Sequence, residues 1–148
     1  MMKLAILTPN LTALPQPDVD DIGKLAGRGY RSIISNRPDG EGADQPEWNE
    51  MKAAALANGL QAVHIPVVAG QIDEADVRAF REALERLPKP IAAFCRTGTR
   101  STILWALANE ASLTADERIG IAAKEGYDLE PFRPLLEGSD KARASGRN

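Results

Sequence analysis

A single cysteine, Cys95, stands in the whole chain, so no internal disulfide and no multi-cysteine zinc site can form. If Cys95 has a chemical role, it acts as a thiol. Histidine is equally scarce: His64 is alone and the carboxylates are scattered, so neither a metal centre nor a cofactor is expected. Aromatic residues amount to 2 Trp, 2 Tyr and 3 Phe, and 18 Lys+Arg against 21 Asp+Glu leave a net charge of −3. The stacking platforms and basic excess of a nucleic-acid binder are both missing. No apolar run approaches the ~20 residues that span a bilayer, and the Met1–Leu7 start is too short and too weakly basic for a signal peptide. A cytoplasmic setting without membrane or nucleic-acid partners is therefore expected.

What is present fits one ordinary core. With 148 residues, 43% hydrophobic and 26% charged, the chain has the composition of a single globular domain. That domain is read over residues 1–137, and residues 138–148 as a polar, small-residue, basic tail expected to be disordered. No internal repeat or low-complexity segment interrupts it.

Strand-length apolar runs alternate with stretches of helical period, which predicts α/β architecture. Lys3–Leu7 and Leu11–Leu14, parted by Pro9-Asn10, read as a small hairpin or edge strands. Val19, Ile22, Leu25 and Ala26 mark a helix ending at Gly27, and Arg31–Ser35 a strand. Asn36–Gln45 is turn-rich and polar, a loop, with a helix from Pro46 to Asn58. A strand from Gln61 to about Ile65 gives way to a loop over Val67–Gln71. Asp73–Leu87 is the plainest helix, with Val77, Phe80, Leu84 and Leu87 on one stripe. Ile91–Phe94 is a buried strand, Cys95–Arg100 a loop, and a helix begins at Ser101, carrying Trp105 as a packing residue. Thr114-Ala-Asp-Glu forms a capping box for a last helix ending near Gly126.

The stretch Cys95-Arg96-Thr97-Gly98-Thr99-Arg100-Ser101 carries the chemistry. A loop from the carboxyl end of a parallel strand into a helix turns successive backbone N–H groups inward, and the helix adds its partly positive N-terminus. A thiol at the loop's start sits in that field, with the guanidinium groups of Arg96 and Arg100 beside it, so the thiolate form is favoured. Gly98 permits the tight turn, and the hydroxyls of Thr97 or Ser101 are candidates to donate to the sulfur, with Thr99 adding a further loop N–H. A free cysteine in isolation is more often a small buried hydrophobe. Two arginines in the same loop are poor filling for a core and argue against that here.

These residues resemble the active-site loop shared by rhodanese sulfurtransferases and cysteine-dependent protein phosphatases. The wider pattern of Asn36-Arg-Pro-Asp-Gly-Glu, Gln45-Pro, Gly59-Leu, His64-Ile-Pro-Val and Leu104-Trp-Ala-Leu is similar to the small bacterial beta-lactamase-hydrolase-like phosphatase-like domain family, also described as sulfur transferases. The resemblance spans about residues 3–137. It implies a phosphatase-like three-layer α/β fold, a central mainly parallel sheet flanked by helices. It also implies a link to sulfide handling, since related domains occur fused to persulfide- or sulfide-oxidising modules that this chain would meet as separate partners.

Loop length separates the chemistries the superfamily performs. Only four residues lie between Cys95 and Arg100, one fewer than in the phosphatase loops, which makes a tighter nest suited to one anionic sulfur. The segment Val67–Gln71 offers no carboxylate to protonate a leaving group, and Asp73 reads as the start of a helix. Phe94 stands where the phosphatases usually carry histidine. Sulfur transfer is therefore the main expectation: Cys95 takes sulfur from a small-molecule donor, forms a persulfide, and passes it to an external thiol or cyanide. Arg100 would serve catalysis, with Arg96, Thr97, Gly98, Thr99, Ser101, Arg37 and Gln71 binding the anion. The alternatives are a phosphatase acting through a phosphocysteine and a non-catalytic oxyanion or redox-sensing module. Glu41 reads as a solvated turn residue, and His64 as a hydrogen-bonded structural one.

Overall fold

In the computed structural model, which describes residues 2–146, five strands form one sheet in the order β1-β2-β5-β3-β4. β1 (Ala5–Thr8) and β2 (Leu11–Pro15) make the antiparallel hairpin expected at the start. β2 then runs parallel to β5 (Ile91–Cys95), β5 to β3 (Ser32–Ser35), and β3 to β4 (Gln61–His64). Such a parallel core must be covered on both faces, and the side chains divide accordingly. Leu14, Ile33, Ala92 and Phe94 point to α1 (Val19–Gly27) and α2 (Trp48–Ala57), where Ile22, Leu25, Met51 and Ala55 meet them. Ala13, Ile34, Ile91 and Ala93 point the other way, into a larger core built with α3 (Glu74–Arg86), α4 (Thr99–Ala108), α5 (Ala115–Lys124) and α6 (Arg133–Gly146). The expected three-layer architecture is the one observed. Phe94 is wholly buried on the α1/α2 side, a core aromatic whose truncation to alanine costs about 3–5 kcal/mol.

Local signals placed several helix ends. Asp73 accepts from the Asp76 N–H at 2.9 Å while Asp76 accepts from the Asp73 N–H at 3.1 Å, so Asp73 caps α3. Thr114 and Glu117 exchange the same pair of bonds at 3.1 and 2.9 Å, the capping box read from the sequence. α4 starts two residues earlier than expected, at Thr99, because Gly98 adopts the left-handed conformation (φ 92°) and turns β5 directly into the helix. From Arg100 to Ala108 every residue of α4 is buried, as suits a helix walled by the sheet and its neighbours.

The tail is the clearest departure. A 3₁₀ turn at Glu130–Phe132 leads into α6, which continues to Gly146, so most of the segment expected to be disordered from Gly138 is helical. Two long-range contacts hold it. Asp140 pairs with the fully buried Arg118, and Arg143 donates to the Ala108 carbonyl at 2.6 Å. Residues 147 and 148 lie outside the described residues. Among the described residues no helix is long and apolar enough to cross a membrane.

Candidate active site

Parallel register sets the site. Pro15, Cys95, Phe94 and Ser35 lie level at the carboxyl ends of β2, β5 and β3, so the segments leaving these strands converge on one edge, where open α/β sheets bind ligands. Cys95 closes β5 and is fully buried. Its sulfur accepts the Gly98 N–H at 3.1 Å, a backbone donor at the head of α4. The sequence pointed to a hydroxyl from Ser101 or Thr97 instead. Both are turned elsewhere: Ser101 Oγ donates to Asn36 Oδ1 at 2.7 Å, and Thr97 Oγ1 donates to Thr99 Oγ1 at 3.0 Å.

Gly98 cannot be replaced cheaply. Beyond its positive φ, a Cβ there would collide with the Tyr127 hydroxyl and stand 3.2 Å from the Leu14 carbonyl carbon. The Gly98 carbonyl is also engaged, accepting from the N–H and the Oγ1 of Thr102 at 3.0 and 2.8 Å.

Arg100 is buried at the same edge and held by three bonds. Nη1 reaches Glu41 Oε2 at 2.7 Å and the Val67 carbonyl at 2.8 Å, and Nη2 reaches Glu41 Oε1 at 2.8 Å. Glu41 is therefore no solvated turn residue. Its carboxylate bridges two guanidinium groups, since Arg37 Nε donates to Oε1 at 3.0 Å, while Arg37 Nη1 donates to Gln16 Oε1 at 3.1 Å. The Arg100 hydrogen bond, opposed by partial burial and helped by Arg37, lowers the Glu41 carboxyl from 4.5 to about 2. Arg100 is raised above its ordinary value, first by its hydrogen bond to Glu41, against the opposing effect of burial, with a smaller contribution from Cys95.

The other sequence candidates separate by position. Arg37 is buried and joins the cluster through Glu41, whereas Arg96 and Thr97 have exposed side chains on the outer side of the loop. The Arg96 carbonyl is tied to the Gln16 N–H at 3.2 Å, so that residue contributes backbone rather than charge to the loop's geometry. Gln71 stays exposed on the turn after β4, its N–H closing onto Val68, outside the hydrogen-bonded cluster. His64 stacks on Trp48 with ring centroids 5.0 Å apart, and its Nε2 lies 2.8 Å from the Arg37 carbonyl oxygen, a contact that supports the backbone carrying Arg37. Among the described residues no group of three or more His, Cys, Asp or Glu is gathered for a metal ion.

The sequence reading set one contributor aside, Glu41, as a solvated turn residue and gave no role to two others, Asn36 and Tyr127. Glu41 had one local signal, its i,i+4 spacing from Arg37. Asn36 is buried at the end of β3, accepts from Ser101, and donates to the Ile65 carbonyl at 3.0 Å, binding the ends of β3 and β4 to α4. Tyr127 donates its hydroxyl to the Thr97 carbonyl at 2.9 Å across 30 residues of chain, for which nothing near Cys95 gives a cue.

The arrangement is a buried thiol at a helix N-terminus, with Arg100 at the same edge held on the ionised carboxylate of Glu41. It matches known proteins in both sequence and shape. The family described as "Beta-lactamase hydrolase-like protein, phosphatase-like domain" matches over residues 3–112. A beta-lactamase hydrolase-like protein of Xylella fastidiosa is 36% identical over 130 residues, 86% of this chain, and one of Agrobacterium fabrum is 35% identical over 130 residues. The chain spans about 30% of the length of these curated relatives. A solved putative phosphatase from Neisseria meningitidis superposes with a TM-score of 0.85 at 35% identity, covering 94% of this chain and 99% of that one. TpbA of Pseudomonas aeruginosa, solved in complex with pTyr, shares the fold at a TM-score of 0.69 and 14% identity, over 97% of this chain and 91% of its own.

Proposed function

Since the chain belongs to the family of the beta-lactamase hydrolase-like protein, phosphatase-like domain, we propose that it is a cysteine-dependent phosphatase acting on phosphate monoesters, with Cys95 as nucleophile. The observation that carries this reading is the Gly98 N–H on the Cys95 sulfur at the β5–α4 turn, in a fold whose solved relative at 35% identity is described as a putative phosphatase. The sulfur attacks phosphorus, the bond to the leaving oxygen breaks, and a phosphocysteine forms that water then hydrolyses to inorganic phosphate. Backbone N–H groups at the head of α4 and the Arg100 guanidinium take the developing charge. The carboxylate nearest this chemistry, Glu41, remains ionised far below neutral pH and cannot supply a proton. Substrates therefore fall in the class whose leaving group departs as a stable anion, aryl phosphates before alkyl phosphates.

A second reading keeps the sulfur transfer expected from the sequence. It is favoured by the four-residue spacing of Cys95 and Arg100, a narrow nest, and by the same want of a proton donor. Here Cys95 attacks the sulfane sulfur of a donor such as thiosulfate, displaces sulfite, and holds a persulfide until an acceptor thiol removes the outer sulfur. A cytoplasmic setting and a separate sulfide-oxidising partner belong to this second reading.

Intact-mass measurement separates the two. Incubation with an aryl phosphate is expected to give a transient phosphoryl adduct and released phosphate, both lost in Cys95→Ser with a fall of at least about a thousandfold in turnover. A sulfur adduct formed from thiosulfate and removed by cyanide, with no phosphate release from the aryl ester, would transfer the assignment to sulfur transfer.

A further inference from the structure

Thr97 and Gly98 share one peptide unit, and both of its polar ends are engaged. The carbonyl accepts the Tyr127 hydroxyl at 2.9 Å, and the N–H donates to the Cys95 sulfur at 3.1 Å. The unit therefore links a phenol on one side of the loop to the thiol on the other. A peptide bordered by glycine turns over easily, because glycine occupies positive and negative φ with similar ease. Turned over, this unit would aim the Thr97 carbonyl oxygen, rather than an N–H, at the sulfur. Something outside the loop has to fix its direction.

Tyr127 is built to do so. It follows α5, is 6% exposed, and is anchored by its own N–H on the Ala122 carbonyl at 2.9 Å. The Lys3 ammonium lies 4.6 Å from its ring centroid. Its hydroxyl sits so close over Gly98 that no Cβ fits between them, so phenol and peptide are in register by contact as well as by hydrogen bond. Burial first, then the neighbouring Cys95, raises the phenol above its ordinary value, which keeps it the donor.

We propose that Tyr127 is a positioning residue: its hydroxyl holds the Thr97–Gly98 peptide with the N–H on Cys95 and thereby stabilises the thiolate. The run O–H to O=C–N–H to sulfur is a hydrogen-bond chain in which each member polarises the next, so losing the phenol weakens a bond it does not itself make. The inference rests on Cys95 being the reacting thiol. It holds for either chemistry, since both begin from the thiolate.

The test is the ultraviolet absorbance of the thiolate followed against pH, which needs no reagent to reach the buried sulfur. One cysteine makes the signal unambiguous once the same variant carrying Cys95→Ser has been subtracted. Tyr127→Phe keeps the ring and removes the hydroxyl. It is expected to move the thiolate curve to higher pH, the ionisation constant falling about threefold to tenfold, with the thermal midpoint near that of the parent. A Tyr127→Phe curve that coincides with the parent's overturns the proposal, and so does a shift seen only in Tyr127→Leu, which would make the ring's packing the cause. If Tyr127→Phe does not fold, 3-fluorotyrosine in a Tyr30→Phe chain leaves position 127 as the only labelled site and strengthens the donor. The curve must then move to lower pH, and no movement overturns the proposal. The intact-mass experiment fails or succeeds separately: a shifted curve without any adduct removes the enzymatic reading and leaves the positioning role.

Discussion

The two ends of α4 are treated in opposite ways. At its N-terminus the Gly98 N–H is turned onto the Cys95 sulfur, at the end of a helix whose first N–H groups have no acceptor within the helix. At its C-terminus the last carbonyls are consumed by arginines from other elements. Arg118 Nη1 donates to Ala106, Arg143 to Leu107 and Ala108 at 3.4 and 2.6 Å, and Arg81 Nε to Ala108 at 3.0 Å. The helix has no acidic residue in its own first turn and no basic residue in its last. Its dipole is left bare toward the thiol at one end and neutralised through space at the other. Chemistry therefore belongs to the first end and anchoring to the second, and substitutions at the two should give different kinds of loss.

The largest expected effect is at the N-terminal end. Arg100→Ala removes the guanidinium beside Cys95 and should lower turnover about 10²–10³-fold, while Arg96→Ala, whose side chain is exposed, should stay within a few-fold of the parent. Stability should fall by about 1–2 kcal/mol in Arg100→Ala, since the Val67 carbonyl and Glu41 Oε2 lose their donor while Arg37 stays on Glu41 Oε1 and the part-exposed carboxylate can turn to solvent. Steady-state kinetics with chemical denaturation check both. Equal losses in the two arginine variants would erase the distinction between the loop's inner and outer sides.

At the other end the expected loss is of stability. Arg118→Met strands the buried Ala106 carbonyl and leaves Asp140 with only the Asn109 amide at 3.5 Å, a cost of about 2–4 kcal/mol. Activity per folded molecule should change by no more than about twofold. A variant that unfolds no more readily than the parent, or that loses activity while fully folded, would show that the two ends are not separate in function.

The same contrast explains what the sequence disclosed. Elements marked by neighbours in sequence were readable: the stripe of Val77, Phe80 and Leu84 in α3, the Thr114 cap of α5, and the short spacing of Cys95, Gly98 and Arg100 that announced a loop at a helix head. Elements fixed through space were not. The half of α6 beyond Gly138 carries little apolar surface and is held in place by Asp140 and Arg143 reaching α4 and α5, so its composition reads as a loose tail. Ser101 was legible as a loop hydroxyl. Its direction was not, because Asn36, 65 residues away, claims it.

The smallest expected effect sharpens the N-terminal end. Glu41 places a carboxylate on the arginine that a substrate anion needs, through two bonds of 2.7 and 2.8 Å. Its carboxyl, lowered to about 2, binds fewer protons in the folded state than in the unfolded one wherever the pH lies near or below the ordinary 4.5. The stability it contributes is therefore complete above about pH 5, declines as pH falls through the interval from 4.5 toward 2, and is lost below. Glu41→Gln, which has no proton to take up, should show a shallower loss of stability across that interval, so parent and variant converge as the solution is acidified. The side chain is 27% exposed, so solvent screens the pair and the difference at neutral pH should be modest. Removing a negative charge from beside Arg100 should also tighten inorganic phosphate as a competitive inhibitor by about threefold. Denaturation curves from pH 7 to 2 and inhibition by phosphate check the two halves. Parallel acid limbs with unchanged phosphate affinity would mean that the carboxylate only fills space at the mouth of the loop, and that the arginine is held by the Val67 carbonyl alone.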